Sequence, residues 1–443
     1  MTASYPDAIK SFTTKVNGVD DVKAEHINDV QAEISAIETE LGTNPRGSYA
    51  SVAARLAASA VTSGTTLPSS PVAGQWFLHT PTGRKVLMMY NGSSWTPIIS
   101  LGNMTLYVDG ASGTDNQNKG YGTGANAFAT IQYAINQIPG QYSGNVAIYV
   151  ASGTYNELPT IRGKYPTGNY TITFYGAEST TNYTISTSTA GSNEVWATLT
   201  VSGAGWTTNE HVGKFLYCSG ESYRPIVSNT SDTITVVGVY SSAPTGSFTL
   251  MTLQTQVYGF VVACDNVSFY SFKLTSPSNH CIYLQNARNV NIYSSYLLAN
   301  STIAVRFENS VGIVERCYVL LNGNTTNIYL NGLSNLTLKK CIVKQQSTKS
   351  GTGMEISYSS YLSFGYAANL INNFDYGIKI GSNSNAFLFI TVSSSGKPII
   401  SNNTYGLYVS AGGQAIYTNT SYIYYAGNTT DRYADATSYG YYG

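Results

Sequence analysis

The sequence predicts a mainly β protein: a right-handed, single-stranded parallel β-helix with an N-terminal α-helical coiled-coil segment, assembled as a homotrimer. Three observations predict it. Phe269, Ile292, Val314, Leu338, Phe364 and Phe389 recur at intervals of 22 to 26 residues, and a second column, Phe272, Ser295, Cys317, Cys341, Ala367 and Val392, follows the first. Each first-column member sits in an alternating apolar and polar run such as "DNVSFYSF", "RNVNIYSS" or "SNLTLKKC", the period of a strand with one buried face. In "KAEHINDVQAEISAIETELG", Ile27, Val30, Ile34, Ile37 and Leu41 alternate steps of three and four, which is a heptad seam on one helix.

Residues 1–61 form the helical segment. Asp20 or Asp21 is placed to cap the helix start, and Gly42 to take the left-handed conformation at its end. Two heptads are too short to stand alone, and β-branched residues at both kinds of seam position favour three strands over two, so Ile27, Val30, Ile34, Ile37 and Leu41 are the expected trimerisation residues. An amphipathic hairpin folded onto its own chain is the alternative. Ser48 is placed to cap a second short helix carrying Tyr49, Val52 and Leu56.

Residues 62–103 read as a small β connector with turns at Thr82-Gly83 and Asn91-Gly92 and an apolar face of Trp76, Phe77, Leu87, Met89, Tyr90 and Trp95. His79 has no Cys, His or carboxylate nearby in sequence, which argues against a metal role. The β-helix spans 104–425. A strand ending at Asp109 leads through a Gly-rich loop into a capping helix near 128–138, with Phe128, Ile131, Ala134, Ile135 and Ile138 on its apolar side, as the open end of a solenoid requires. Coil register is poor near 165–258, which reads as an inserted β excursion. The tail, 426–443, loses the register again and is expected to cap the coils or lock the trimer.

Composition narrows the function. Charged residues are 10% of the 443 and sum to zero, which argues against electrostatic capture of nucleic acid or an anionic membrane, while 37 Tyr among many Gly, Ser, Thr and Asn suit contact with neutral, hydroxyl-rich partners. The five cysteines show no CxxC or Cys/His spacing and read as reduced core side chains, so no metal or other cofactor is expected. "MTASYPDAIKSF" has no basic region followed by an apolar run, and no stretch approaches the ~18 apolar residues of a membrane span, so neither a secretory signal nor membrane insertion is expected. Leucine-rich repeats, the competing solenoid, would need an Asn and Leu spacing that is absent.

In "CIYLQN", "AVRFEN", "NIYLNG", "GMEISY", "GIKIGS" and "GLYVSA" the inward residues are aliphatic or aromatic, leaving Tyr283, Arg306, Tyr329, Glu355, Lys379 and Tyr408 on one outer stripe. It can be a solvated ladder, a subunit contact or a glycan-binding strip in which sugar rings stack on Tyr while Arg and Glu bind hydroxyls. Catalysis is harder to place. Between Tyr258 and Ala426 the only carboxylates are Asp265, Glu308, Glu315, Glu355 and Asp375, and there is no GxSxG elbow. Arg306 with Glu308, and Glu315 across the turn, is the weak catalytic candidate; a surface ion pair is the plainer reading.

Two resemblances extend this. Leu106 to Glu157, through Tyr107-Val108-Asp109, "FATIQYAINQI" and "VASGTYNE", resembles the N-terminal part of pectin-lyase-like β-helix proteins. Residues 4–56 resemble a segment that recurs in bacteriophage fibre and tail proteins near their particle-bound end. The resemblances imply a tail fibre or tailspike, made in the host cytoplasm and carried on the virion tail. Its N-terminal segment would join other phage structural proteins, and its shaft would bind host surface polysaccharide during adsorption. The alternatives are a polysaccharide depolymerase, hydrolase or lyase, and a purely structural head or collar fibre. The adjacent Asp-Asp motif of polygalacturonase-like members is absent from the coils, as is the acidic cluster with downstream Arg of calcium-dependent pectate lyases. Those active sites do not carry over.

Overall fold

The computed structural model describes residues 10–47, 50–189, 196–218, 222–240, 242–278, 280–300, 303–364, 369–381, 387–390, 397–410, 414–417, 423–434 and 439–442. The chain forms two compact units, Met1–Thr62 and Ser63–Gly443.

In the first unit, helices span Ala24–Leu41 and Val52–Ser59. Neither Asp20 nor Asp21 caps the first helix: Lys23 holds that position and its N–H donates to His26 Nδ1 at 3.2 Å, while Asp20 Oδ2 accepts from Val16 N–H at 2.9 Å and closes the turn before the helix. Gly42 ends the helix at φ 69 with ψ −178, a positive-φ but extended conformation and not a left-handed helical one. The second helix is capped by Ser51, whose Oγ accepts from Ala54 N–H at 3.1 Å; the cap expected at Ser48, with Tyr49, lies outside the described residues. Lys10 bonds Asp29 and reaches Glu33 at 3.5 Å, so the chain covers the polar side of its own helix. Ile27, Val30, Ile34, Ile37 and Leu41 remain 38% to 51% exposed. The helix has folded its charged face onto its own chain and left the heptad seam open, the reverse of an apolar hairpin.

The second unit is built on three nine-stranded sheets, each taking one strand per coil and each parallel throughout, the pattern of a β-helix. The first sheet runs from Met104–Val108 to Phe387–Ile390, the second from Gly153–Tyr155 to Tyr424–Ala426, and the third from Thr160–Arg162 to Thr430–Ala434. Phe269 pairs with Ile292, Ile292 with Val314, Val314 with Leu338 and Leu338 with Phe364. All five are buried. The column then slips by one: Phe364 pairs with Ile390, and Phe389 pairs with Ser363.

The second column turns the corner between the first two sheets. Ser271, Ser294, Arg316 and Lys340 take positive φ (65, 46, 57 and 52), and each bend takes the next backbone N–H out of the strand ladder. A small polar side chain of the following coil accepts it: Ser295 Oγ from Phe272 N–H at 3.2 Å, Cys341 Sγ from Cys317 N–H at 3.4 Å, and Asn369 Oδ1 from Cys341 N–H at 2.9 Å. Asn369 therefore holds the place expected for Ala367, because the corner needs an acceptor there; Ala367 and Val392 themselves lie outside the described residues. Burial pushes the Cys341 thiol well above its ordinary range, so it stays protonated. All five cysteines are buried, and none is in a disulfide.

The capping helix is Ile131–Asn136, shorter than the expected 128–138, because Phe128 forms a β-bridge to Val108 and Ile138 lies past the last turn. Phe128, Ile131, Ala134, Ile135 and Ile138 are nonetheless all buried in the mouth of the tube. Glu157, from "VASGTYNE", fixes the helix start by accepting from Ile131 N–H at 2.8 Å and Gln132 N–H at 3.0 Å.

Trp76–His79, Val86–Tyr90 and Trp95–Ser100 form antiparallel pairs, and their sheet continues through Gln141–Tyr142 and Tyr165–Pro166. Phe77, Val86, Met88 and Trp95 share one core with Met104 and Leu106, so this region is continuous with the coils. Met88, not Met89, faces that core; Met89 pairs with Trp76, which is 39% exposed.

His79 is buried and its Nε2 lies 3.0 Å from Thr65 O. Burial, then the nearby Arg84 charge, lowers its pKa to about 4. A histidine held neutral when folded but titrating normally when unfolded contributes stability above the unfolded value, and that contribution fades as pH falls toward the folded one. Urea titrations from pH 7 to pH 4 should therefore show a loss of about 2–3 kcal/mol that His79→Gln removes. An identical pH dependence in the variant would refute the assignment.

The excursion is narrower than 165–258. Ile172–Gly176 is a coil strand, paired with both Val146–Val150 and Val267–Tyr270, and the chain leaves the coil after it and returns at Thr255–Val257. Between them, seven strands from Glu178–Thr184 to Ser247–Leu253 form a sheet whose pairings are all antiparallel. One face has its own core, including Leu199, Ile226, Ile234 and Phe248. Phe215, Val237 and Met251 pack on Tyr318, Leu320, Ile342, Leu370 and Ile399, the outer side of the second sheet. Tyr318 OH anchors the contact: it accepts from Ile226 N–H at 2.6 Å and lies 2.8 Å from Lys214 O.

Candidate ligand-binding surfaces

Strand pairing puts the six stripe residues in one outward column of the third sheet: Tyr283 beside Arg306, then Tyr329, Glu355, Lys379 and Tyr408, with Tyr433 following. Each is separated from the next by one strand spacing, ~4.8 Å. The column is knitted together. Arg306 lies over the rings of Tyr283 (5.2 Å) and Tyr329 (5.8 Å) and is ion-paired to Glu308, which also accepts from Tyr283 OH. Glu355 accepts from Thr326 Oγ1 at 3.1 Å and lies 3.5 Å from Lys379 Nζ.

Glu308 decides the chemistry of this cluster. Burial opposes its ionisation, but the hydrogen bonds from Tyr283 and Arg306 outweigh burial and hold the carboxyl below its usual range. Burial and the Glu308 bond raise Tyr283. Both directions disfavour proton donation near neutrality, since the carboxyl is already ionised and the phenol is a weaker acid than usual. They suit an acceptor and a donor for sugar hydroxyls. Glu315 does not join the pair: it lies on the first sheet, 3.6 Å from Arg316 Nε.

At the C-terminal end of the same face, Tyr376 and Tyr405 stack at 5.4 Å, Tyr408 and Tyr433 stack at 4.9 Å, and the pairs meet edge to face. Only Tyr408 of these four was anticipated. A second aromatic column, on the first sheet, was missed: Tyr107, Tyr149, Tyr175, Tyr270 and Tyr293 stack at 4.7 to 5.6 Å, and Arg316 covers the last ring at 5.5 Å. "FYSF" and "IYSS" carried the signal, one residue after the buried position. Because its faces cover one another, this ladder offers solvent ring edges and hydroxyls.

The excursion creates a third feature. Between it and the second sheet lies a cleft of about 410 Å³ whose lining includes Trp196, Val227, Tyr296, Lys344, Asn372 and Ser401. Lys344 pairs in register with Leu320 on one side and Asn372 on the other, and Asn372 with Ser401, so these residues form a floor across successive coils.

No family model and no curated protein matches this chain. The solved structures similar to this chain include two phage tailspikes. The tailspike gp61 of Pseudomonas phage phi297 is 12% identical with a TM-score of 0.25, over 65% of this chain and 67% of that one. The Gp54 tailspike of Acinetobacter baumannii bacteriophage AP22, solved in complex with A. baumannii capsular saccharide, is 10% identical with a TM-score of 0.16, over 67% and 71%. Similarity at this level does not bear on what this chain binds, which has to be read from its own side chains.

Proposed function

We propose that this chain is a fibre or tailspike-like component of a bacteriophage particle that binds host surface polysaccharide during adsorption. Residues 1–61 serve attachment and trimerisation, and the coils from 104 to 425 present the binding surface. The observation that carries the binding role is the outward column from Tyr283 to Tyr408, which holds phenols, a guanidinium, a carboxylate and an ammonium in register on a rigid support. Such a face can satisfy many sugar hydroxyls with little ordering cost. The open seam of Ile27, Val30, Ile34, Ile37 and Leu41 supports a trimer, in which three weak sites act together.

The full-length protein should elute with the mass of a trimer by light scattering, and Ile34→Glu with Ile37→Glu should shift it toward monomer. On immobilised host polysaccharide, Arg306→Ala should weaken binding about tenfold or more, since it strips Glu308 of its ion-pair partner and uncovers two rings. Unchanged binding by that variant would remove the column from the site. Reducing ends or unsaturated sugars released in the same mixture would move the reading to a depolymerase.

A further inference from the structure

The cations of the stripe are paired: Arg306 with Glu308, and Lys379 with Glu355. Lys344 differs. It stands exposed on the floor of the cleft beneath the excursion, and among the described residues it has no ion pair or hydrogen-bond partner. Among the described residues that line the cleft there is no Asp or Glu, and Lys344 is the only one of them with a formal charge. Around it are an indole, Trp196, a phenol ring, Tyr296, and the amides of Gln346, Asn372 and Asn402.

A concave site lined by flat rings, amides and one unneutralised ammonium is complementary to a polar ring bearing a negative charge. Apolar peptide would leave the ammonium and amides without partners, and a neutral sugar would leave the charge unused. The volume of about 410 Å³ suits a short stretch of saccharide. We infer that this cleft binds a sugar unit carrying a carboxylate, with Lys344 pairing the anion and Trp196 and Tyr296 packing against the ring. The inference rests on the glycan-binding reading above and adds the class of glycan and a second site.

The test uses full-length protein and a panel of glucuronic-acid oligosaccharides, each alongside its carboxyl-reduced form. Wild type should prefer the acidic member about tenfold, the size of one charge-assisted hydrogen bond at a partly exposed site. Lys344→Gln should erase that preference, Lys344→Arg should keep most of it, and Lys85→Gln, exposed and remote from the cleft lining, should behave as wild type. Equal binding of acidic and reduced forms by wild type, or a preference that survives Lys344→Gln, overturns the assignment. Loss of binding in Arg306→Ala with no acidic preference leaves the polysaccharide reading standing and this one fallen. Absence of binding to every member overturns this inference, whereas the wider reading falls only if host polysaccharide also fails to bind.

Discussion

Phe269→Ala in the full-length chain is expected to lower the unfolding free energy by about 3–5 kcal/mol, the cost of deleting a large buried ring that its surroundings cannot collapse to fill. The ring is fully buried, stacks on Phe174 at 5.1 Å and meets Phe260 at 4.6 Å, while Phe260 in turn meets Phe272 at 5.6 Å. It also lies in the strand that pairs with Ile172–Gly176, the last coil strand before the excursion. Its loss therefore opens a void where the tube resumes after an interruption of some eighty residues. Tyr270→Ala, on the outer face of the same strand, removes a half-exposed ring and should cost about 1 kcal/mol. Denaturant titration followed by far-UV circular dichroism reads both. A cost below 1 kcal/mol for Phe269→Ala would mean that the recurring column is not an interior stack.

That column was legible because alternation fixes a face and stacking fixes an interval, so Phe269 to Phe364 could be aligned from the sequence. It failed at the next coil for a physical reason. "FLFI" is apolar at every position, so a one-residue slip from Ile390 to Phe389 leaves no trace in hydropathy. The second column misled differently: it was carried along at a fixed offset from the first, whereas the corner selects an acceptor, which Ser295, Cys341 and Asn369 supply. The outward stripe was readable from the same alternation that gave the core. The cleft was not, because its walls come from an antiparallel sheet whose pairing has no period. One clue was present: "YVLL" at Tyr318–Leu321 is apolar on both faces, and all four residues are buried because the excursion covers the outer one.

Gly312 tests whether the coils are packed individually or interchangeably. It occupies an inward column otherwise filled by Val267, Val290, Leu336 and Leu362. The third sheet compensates in the same coil: Phe307 stands in the column of Leu284 and Leu330, and its ring lies 3.1 Å from where a Cβ on residue 312 would sit. That Cβ would also fall 2.2 Å from Val290 O, so a side chain there requires backbone movement as well. Gly312→Val should accordingly cost about 3 kcal/mol, the upper end of ordinary overpacking. Phe307→Leu alone should also destabilise, by leaving a void over the glycine. Combined, the two should cost less than their sum by about 1 kcal/mol or more, because the smaller ring makes room for the valine. The rescue stays partial, since the carbonyl of Val290 remains in the way. Additivity within about 0.5 kcal/mol would show that Phe307 does not fill the space above Gly312. Strong coupling would show that each coil balances its own volume, which lets the repeat vary from one coil to the next while the bore of the tube stays constant.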